Sequence, residues 1–311
     1  MIVHQEQRQE RIQQILKKVR LLEIKTRRLL SDPLVGAYRS VFKGQGMDFE
    51  EVREYSPGDD IRMIDWNVSA KMDRPYIKKF REERELTMLI AVDLSASLDF
   101  GSGELSKRDI AGELASMLAF SATKNHDKVG LLLFTDRIEA YIPPNKGKNH
   151  ILRIIREVLF FEPQGRGTHY HQALNFIRQV LKCRTIIFLL SDFLPGERNV
   201  TGMLSEEEFR SLQWMHRHYD VVCVCIEDPR ERTIPAVGWI RWEDGETGEI
   251  VEMNTCSRSF QERYAHVVRS RAQQLEDRFR RCGVDSFCVS TEIPFIHAFE
   301  SFLKTRNARR R

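Results

Sequence analysis

The sequence has no hydrophobic run long enough to cross a membrane. Its longest apolar stretches, near residues 88–92, 185–190 and 221–226, are the size of strands, whereas a transmembrane helix needs about 18 or more apolar residues. The first residues are polar and charged, so no secretory signal peptide is expected there. Without an export signal we expect a cytoplasmic location, with the six cysteines as reduced thiols.

Several catalytic and binding motifs are also missing. The cysteines show no zinc spacing, and no Gly-x-Ser-x-Gly elbow of a serine hydrolase occurs. The glycine pairs at 44–46 and 101–103 are not followed by the Lys-Ser/Thr of a P-loop. The basic ends of the chain offer few aromatic side chains for base stacking, so nucleic-acid binding is not expected.

The charges that are present nearly cancel, but they are unevenly placed. The 311 residues carry 49 Lys+Arg and 45 Asp+Glu, for a net charge of +4. Residues 1–30 hold 8 basic and 3 acidic groups, and residues 258–311 hold 12 and 6, so the body between these ends is acidic. Basic ends are typical of solvated helix faces or of contact with an anionic surface. A peripheral membrane contact through the N-terminal segment therefore stays open.

The composition predicts four regions along the chain. A basic amphipathic helix is predicted to end at the proline of residues 31–33, and the next region, rich in turn residues, favours short strands and loops. A long region of strands and helices follows, with a hairpin insertion at about 237–255, and a basic tail ends the chain. The predicted regions are 1–33, 34–85, 86–305 and 306–311.

The long region predicts the fold class. From residue 86 onward, near-continuous apolar strands alternate with amphipathic helices. This pattern is typical of a doubly wound, mostly parallel α/β sheet with helices on both faces. Ligands of such sheets bind beyond the carboxyl ends of the strands, so the residues directly after each strand are the candidates for chemistry.

A set of hard oxygen donors follows the first strand of this region. If the chain stays extended, Asp93, Ser95 and Ser97 project one carboxylate and two hydroxyls to the same side. Asp192 follows a later strand, and Thr168 lies in a glycine-containing loop before a helix. Such donors suit Mg²⁺ or Mn²⁺ rather than a soft metal. The five residues leave room for an acidic oxygen from outside the chain.

This pattern resembles the metal-ion-dependent adhesion site of von Willebrand factor A domains over about residues 86–226. Asp93, Ser95 and Ser97 match its Asp-x-Ser-x-Ser element, while Thr168 and Asp192 match its threonine and its later aspartate. The resemblance implies a fold of that type. It also implies that Ser95, Ser97 and Thr168 ligate the metal, with the two aspartates acting directly or through water.

A second resemblance covers about residues 35–305. The stretch 49–66 is similar to the signature of the bacterial family called domain of unknown function 58. The matching residues are Arg53, Tyr55, Gly58, Asp59, Arg62, Asp65 and Trp66. The resemblance implies work with a MoxR-type AAA+ ATPase in chaperone-like assembly or maturation of other proteins.

The resulting hypothesis is a non-enzymatic, divalent-metal-dependent interaction module whose protein client completes the metal shell with an acidic residue. Two alternatives stay open. One is a metal-dependent hydrolase of phosphate esters, with His169 or His171 as its base. The other is a membrane or nucleic-acid adaptor that uses the basic ends. A separate alternative concerns the stretch 49–66, whose charged residues could form a structural ion-pair network rather than a catalytic or partner-binding surface.

Overall fold

A computed structural model describes residues 36–38, 41–42, 48–72, 74–81, 85–194, 204–243 and 248–309. Its internal contacts divide the chain into two compact units. The smaller unit is Phe42–Leu86, and the larger one combines the residues up to Val41 with Thr87–Arg311. The basic helix predicted at 1–33 lies outside the described residues. The domain boundaries predicted from the sequence stay predictions.

The smaller unit contains an antiparallel strand pair with helical turns between the two strands. Its elements are β1 (Asp48–Glu54), a 3₁₀ helix (Ile61–Met63), α1 (Trp66–Met72) and β2 (Tyr76–Arg81). The expectation of strands and loops missed α1. The carboxylate of Asp65 accepts hydrogen bonds from the backbone N–H groups of Asn67 and Val68, which is how a residue before a helix satisfies its unpaired donors. The aspartate directly before Trp66 was therefore the signal in the sequence that a helix begins there.

The larger unit alternates strands and helices as the sequence predicts. Its elements are β3 (Thr87–Asp93), a 3₁₀ helix (Ala96–Asp99), α2 (Lys107–Lys124), β4 (Lys128–Phe134), β5 (Ile138–Asn145), α3 (Lys148–Phe160), α4 (Tyr170–Val180), β6 (Ile186–Ser191), α5 (Glu206–His218), β7 (Asp220–Glu227), α6 (Pro229–Arg232), β8 (Trp239–Glu243), β9 (Ile250–Asn254), α7 (Arg258–Cys282), β10 (Asp285–Ser290) and α8 (Phe295–Arg309).

Six of these strands form one sheet in the order β10-β7-β6-β3-β4-β5. Every neighbouring pair is parallel except β4 and β5, which are antiparallel. β8 and β9 pair with each other as the separate hairpin that their sequence predicts. The predicted fold class, a doubly wound and mostly parallel α/β sheet, is confirmed.

Both faces of the sheet are covered, which explains the near-continuous apolar strands. In β3, Leu89 and Ala91 belong to a core shared with α4, α5 and α7. Successive strand residues point to opposite faces, so the equally buried Met88, Ile90 and Val92 point the other way. α2 packs on β3, β4 and β7 and carries a long row of buried residues.

The described part of the segment predicted as a basic tail, 306–309, is helical. α8 continues to Arg309, and Arg306 is buried within the larger unit. The guanidinium of Arg306 pairs with Asp220 at the start of β7 and with Asp285 at the start of β10. The basic residue therefore ties the last helix to two neighbouring strands.

Candidate metal centre

The candidate site lies where the strand order of the sheet reverses. From β3 the chain passes to β4 on one side and later to β6 on the other, so the carboxyl ends of β3 and β6 border a crevice. Val92 pairs with Leu190. The residues that follow, Asp93 and Ser191, therefore end neighbouring strands side by side.

Asp93 is fully buried at this edge. Its Oδ1 accepts the backbone N–H of Ser95 at 2.8 Å, and its Oδ2 accepts the hydroxyl of Ser191 at 2.7 Å. Ser191 Oγ also lies 2.7 Å from the hydroxyl of Tyr170. The sequence hypothesis used Asp93 but gave no role to Ser191, whose contact with Asp93 depends on the strand register.

Ser95 and Ser97 place their hydroxyl oxygens 3.0 Å apart. The expectation of an extended segment is wrong here, because a 3₁₀ helix begins at Ala96, directly after Ser95. The 3₁₀ turn, rather than strand alternation, brings the two hydroxyls together. The hydroxyls of Ser95 and Ser97 therefore lie together as predicted, but because of the turn and not because of an extended strand.

The loop that carries Thr168 is tied to the same region. The backbone N–H of Ala96 donates to the carbonyl of Arg166 at 2.9 Å, so the loop lies against the start of the 3₁₀ helix. Gly165 lies so close to the turn after β4 that an added Cβ would sit 2.0 Å from Asp136 Oδ1. Thr168 itself is buried.

Asp192 follows β6 and has both carboxylate oxygens occupied. Oδ1 accepts the backbone N–H of Leu194 at 3.0 Å, and Oδ2 accepts the ammonium of Lys107 at 2.7 Å. The next residue, Phe193, has a φ of 53°, which is uncommon for a residue with a side chain and marks a constrained turn. Asp192 therefore lies on a rigid turn and already has a cation partner.

Lys107, like Ser191, is a residue of this site that sequence reasoning missed. Its side chain is 0% exposed, and its Nζ lies 2.7 Å from Asp192 Oδ2 and 2.6 Å from Glu231 Oε1. Lys107 is the first residue of α2, directly after the N-cap Ser106. A cation is disfavoured there by the helix dipole, so a lysine next to a capping serine was a signal that it has an acidic partner.

Glu231 is held in position by its own short helix. Its Oε2 accepts the backbone N–H of Asp228 at 3.1 Å, closing a capping box at the start of α6. The hydroxyl of Tyr264 on α7 donates to the backbone carbonyl of Glu231 at 2.8 Å. These contacts fix the second acceptor of Lys107.

The pKa values of the buried charged groups shift in the directions that their surroundings dictate. Burial, together with the charge of Asp192, raises the pKa of Asp93 to about 7, against the hydrogen bonds from Ser191 and Ser95. Burial acts to lower the pKa of Lys107, but the carboxylates of Asp192 and Glu231 outweigh it and raise that pKa overall. Lys107 is therefore a permanent cation, whereas Asp93 lacks a cation partner among the described residues.

The donor set fits a hard divalent cation at Asp93. A buried carboxylate, two hydroxyls 3.0 Å apart and a buried threonine on an adjacent loop are oxygen ligands of the kind Mg²⁺ and Mn²⁺ take. In the part of the chain that the structure describes, no group of three or more His, Cys, Asp or Glu could hold a metal ion. An ion here would therefore need the hydroxyls as ligands.

The two histidines beside Thr168 differ in their surroundings. His169 is exposed at the start of α4. His171 has its Nε2 2.7 Å from Asn175 Nδ2, and its Nδ1 is 3.8 Å from a carboxylate oxygen of Glu207. Both nitrogen atoms of the His171 ring thus face residues of α4 and α5.

The signature stretch of the smaller unit is held by its own charged groups. Arg53 donates to Asp59 at 2.6 Å, and Asp59 also accepts the backbone N–H of Ser56 at 2.9 Å. The side chain of Asp60 accepts the backbone N–H of Arg62 at 3.0 Å. These bonds close the turn around Gly58, whose φ of 110° suits glycine. They account for several signature residues as structural.

Comparisons with known proteins place this chain among bacterial relatives. The model of the family described as "Protein of unknown function DUF58" matches residues 51–274. Uncharacterized proteins of Mycobacterium tuberculosis and Mycobacterium bovis are each 26% identical over 290 residues, which cover 93% of this chain and 88% of the relative.

The matches among solved structures include von Willebrand A domains. The von Willebrand A domain of SpRpn10 is 10% identical, with a TM-score of 0.38, and the match covers 71% of this chain and 95% of that one. An aerotolerance-related membrane protein from Bacteroides fragilis is 15% identical, with a TM-score of 0.45, covering 71% and 99%. Within the described ranges of the present chain, no helix has the length and apolar character needed to cross a membrane.

Proposed function

The chain belongs to the DUF58 family, and we propose that it is a non-enzymatic protein-interaction module that depends on a divalent metal ion. Asp93, Ser95, Ser97, Thr168 and Asp192 would hold Mg²⁺ or Mn²⁺, directly or through water. When bound, the ion supplies a positive centre that can accept a carboxylate oxygen from another protein.

The observation that carries this proposal is the fully buried carboxylate of Asp93. A buried carboxylate is costly unless a cation compensates it. Its partners are an amide and a hydroxyl rather than a cation, and two further hydroxyls converge beside it. A divalent ion would supply the missing charge and use these hydroxyls as ligands.

The electrostatics of the surroundings favour an acidic partner. Lys107 pairs with Asp192, and Arg271 of α7 lies close enough to Asp192 and Glu231 to interact with their charges. With a divalent ion added to these two cations, the site favours an anionic ligand. A client protein with an exposed Asp or Glu fits this requirement.

The partner that works on the client is proposed from the family resemblance. We expect a MoxR-type AAA+ ATPase that acts with this chain in chaperone-like assembly or maturation. We also expect a cytoplasmic location, with peripheral membrane contact through the basic segment 1–33. For the hydrolase alternative, His171 is a poor base because it engages Asn175 and faces Glu207, whereas His169 is exposed.

Isothermal titration of Mn²⁺ into the full chain, after treatment with EDTA, tests the metal site. We expect saturable binding that weakens at least about tenfold in Asp93→Ala and Ser95→Ala, because each change removes a ligand or its charge. Asp277→Ala on the exposed part of α7 is the matched control and should bind like the wild type. Equal affinity in all four proteins would refute the proposed site.

Affinity purification in Mg²⁺ and in EDTA tests the interaction role. We expect an AAA+ ATPase to be recovered with the wild type in Mg²⁺, and to be lost both in EDTA and with Asp93→Ala. Recovery that is the same in all three conditions would show that the interaction does not use the metal.

A further inference from the structure

Lys107 contacts a carboxylate that the proposed metal ion would also bind. Its ammonium lies 2.7 Å from Asp192 Oδ2, whereas the other carboxylate oxygen, Oδ1, accepts the backbone N–H of Leu194. A cation bound to Asp192 through Oδ2 must therefore share or replace this contact. The chain carries a positive group of its own at one of its proposed metal ligands.

We propose that Lys107 is an internal counter-ion that competes with the divalent metal for Asp192, and that Glu231 holds the ammonium when the metal displaces it. This inference rests on the metal site proposed above. It assigns to Lys107 and Glu231 the role of setting the metal concentration at which that site fills.

The burial of Lys107 gives the first support for this role. A fully buried ammonium needs compensating carboxylates, and Lys107 has two of them, which come from the loop after β6 and from α6. One carboxylate would suffice for a simple ion pair. The second gives the ammonium a partner that remains when Asp192 binds another cation.

The fixed position of Glu231 gives the second support. One of its oxygens, Oε1, contacts Lys107, while the other accepts the backbone N–H of Asp228. The backbone carbonyl of Glu231 is bonded to Tyr264 on α7. Glu231 is thus held independently of Asp192, so it can retain Lys107 without a rearrangement of the site.

The test compares Mn²⁺ affinity, by isothermal titration, of the wild-type chain and four variants. Lys107→Met removes the cation and keeps much of the apolar stem. Lys107→Met/Glu231→Gln removes the cation together with one negative charge, so the net charge of the site is unchanged. Lys107→Arg keeps a cation, and Lys182→Met, an exposed lysine before β6, controls for the loss of a surface charge.

Competition predicts that both proteins carrying Lys107→Met bind Mn²⁺ about tenfold or more tightly than the wild type. Lys107→Arg should bind as weakly as the wild type or more weakly, and Lys182→Met should match the wild type. Thermal unfolding with and without Mn²⁺ checks that each variant is folded and gives a second readout. Because the double variant leaves no unpaired negative charge at residue 231, it is expected to fold even if the single variant does not.

The outcomes separate this inference from the proposed function. If the wild type binds Mn²⁺ and the double variant binds it no more tightly, Lys107 does not compete, although the metal site stands. If the double variant binds Mn²⁺ and the wild type does not, Lys107 blocks the site and the proposed metal dependence of the wild type is wrong. If neither protein binds Mn²⁺, both proposals fail.

Discussion

Asp93 and Lys107 are both buried charges, but the chain compensates them differently. Lys107 has two carboxylates within 2.7 Å, whereas Asp93 has hydrogen-bond donors without a full opposite charge. A buried charge without a counter-charge destabilises the folded state unless it takes up a proton or binds an ion. Removal of the Asp93 charge should therefore have the clearest effect on the stability of the folded state.

Stability in EDTA should fall as pH rises through the titration range of Asp93. The pKa of this carboxyl is about 7 in the folded protein, where burial raises it, against an ordinary value of 3.8. Between these values the folded protein holds a proton that the unfolded chain has released, so a rising pH lowers the free energy of unfolding. Asp93→Asn should reduce this pH dependence, as measured by urea unfolding between pH 4 and pH 8.

A matched variant identifies the source of that effect. The hydrogen bond from Arg137 lowers the pKa of Asp136, a more exposed carboxyl at the same edge of the sheet. Asp136→Asn should therefore leave the fall in stability between about pH 4 and pH 7 in place. The same pH dependence in Asp93→Asn and the wild type would contradict the assignment to Asp93.

Gly165 decides how closely the Thr168 loop approaches the turn after β4. A Cβ at this position would lie 2.2 Å from Thr135 Oγ1 and 2.0 Å from Asp136 Oδ1, so either the loop or these side chains must move. We expect Gly165→Ala to lower the free energy of unfolding by about 1–3 kcal/mol and to weaken Mn²⁺ binding. Urea unfolding and titration measure the two effects.

Gly103 provides the control for this substitution. An added Cβ there meets no atom within 4 Å, so Gly103→Ala should change neither stability nor metal affinity appreciably. If the two alanine variants behave alike, the close approach at Gly165 does not constrain the loop.

At the scale of elements, α2 and α5 of the larger unit both begin with a capping box built on a serine. In α2, Ser106 and Asp109 form a capping box, and in α5 Ser205 and Glu208 do the same. Each serine accepts the backbone N–H of the residue three positions later and satisfies a donor that the helix leaves unpaired. The difference is that α2 also begins with Lys107 of the candidate site.

The two caps allow a matched comparison. Ser106→Ala and Ser205→Ala should each lower the free energy of unfolding by about 1 kcal/mol. Ser106→Ala should also tighten Mn²⁺ binding, because the first turn that positions Lys107 is loosened. Urea unfolding and isothermal titration measure these changes. Equal metal affinity in the two variants would indicate that the cap does not position the ammonium.

The order of elements could be predicted from the sequence, while part of the site could not. Apolar runs fixed where β3 and β6 end, and this placed Asp93 and Asp192 at one edge. The contact of Ser191 with Asp93 depends on strand register, and the place of Lys107 depends on which helix begins beside that edge. The periodicity of apolar residues reports neither. α1 was missed because seven residues are too few for a clear helical pattern.

At the scale of the molecule, the charge asymmetry seen in the sequence is partly structural. Arg306 in the basic C-terminal segment is 5% exposed and connects α8 to the starts of β7 and β10 through Asp220 and Asp285. This basic end is therefore not simply a solvated surface available to anionic partners. The basic segment 1–33 lies outside the described residues, and its role stays a prediction.

Arg306→Met should destabilise the larger unit because it removes a buried guanidinium from the half-buried carboxylates of Asp220 and Asp285. We expect a loss of about 1–3 kcal/mol in the free energy of unfolding, less than for a pair buried on both sides, because the two carboxylates keep part of their contact with water. Arg309 also pairs with Asp285 but is 69% exposed, so Arg309→Met should cost under about 1 kcal/mol. Thermal or urea unfolding that ranks the two variants equally would refute this difference.

The candidate site joins positions that are far apart along the chain. Asp93 meets Ser191 across 98 residues, and Lys107 meets Asp192 and Glu231 across 85 and 124. During synthesis, Lys107 is made long before either of its carboxylates, and non-local strand pairing forms slowly. The nascent chain therefore carries these charges exposed to water, and the site assembles late in folding, once α6 has emerged and docked.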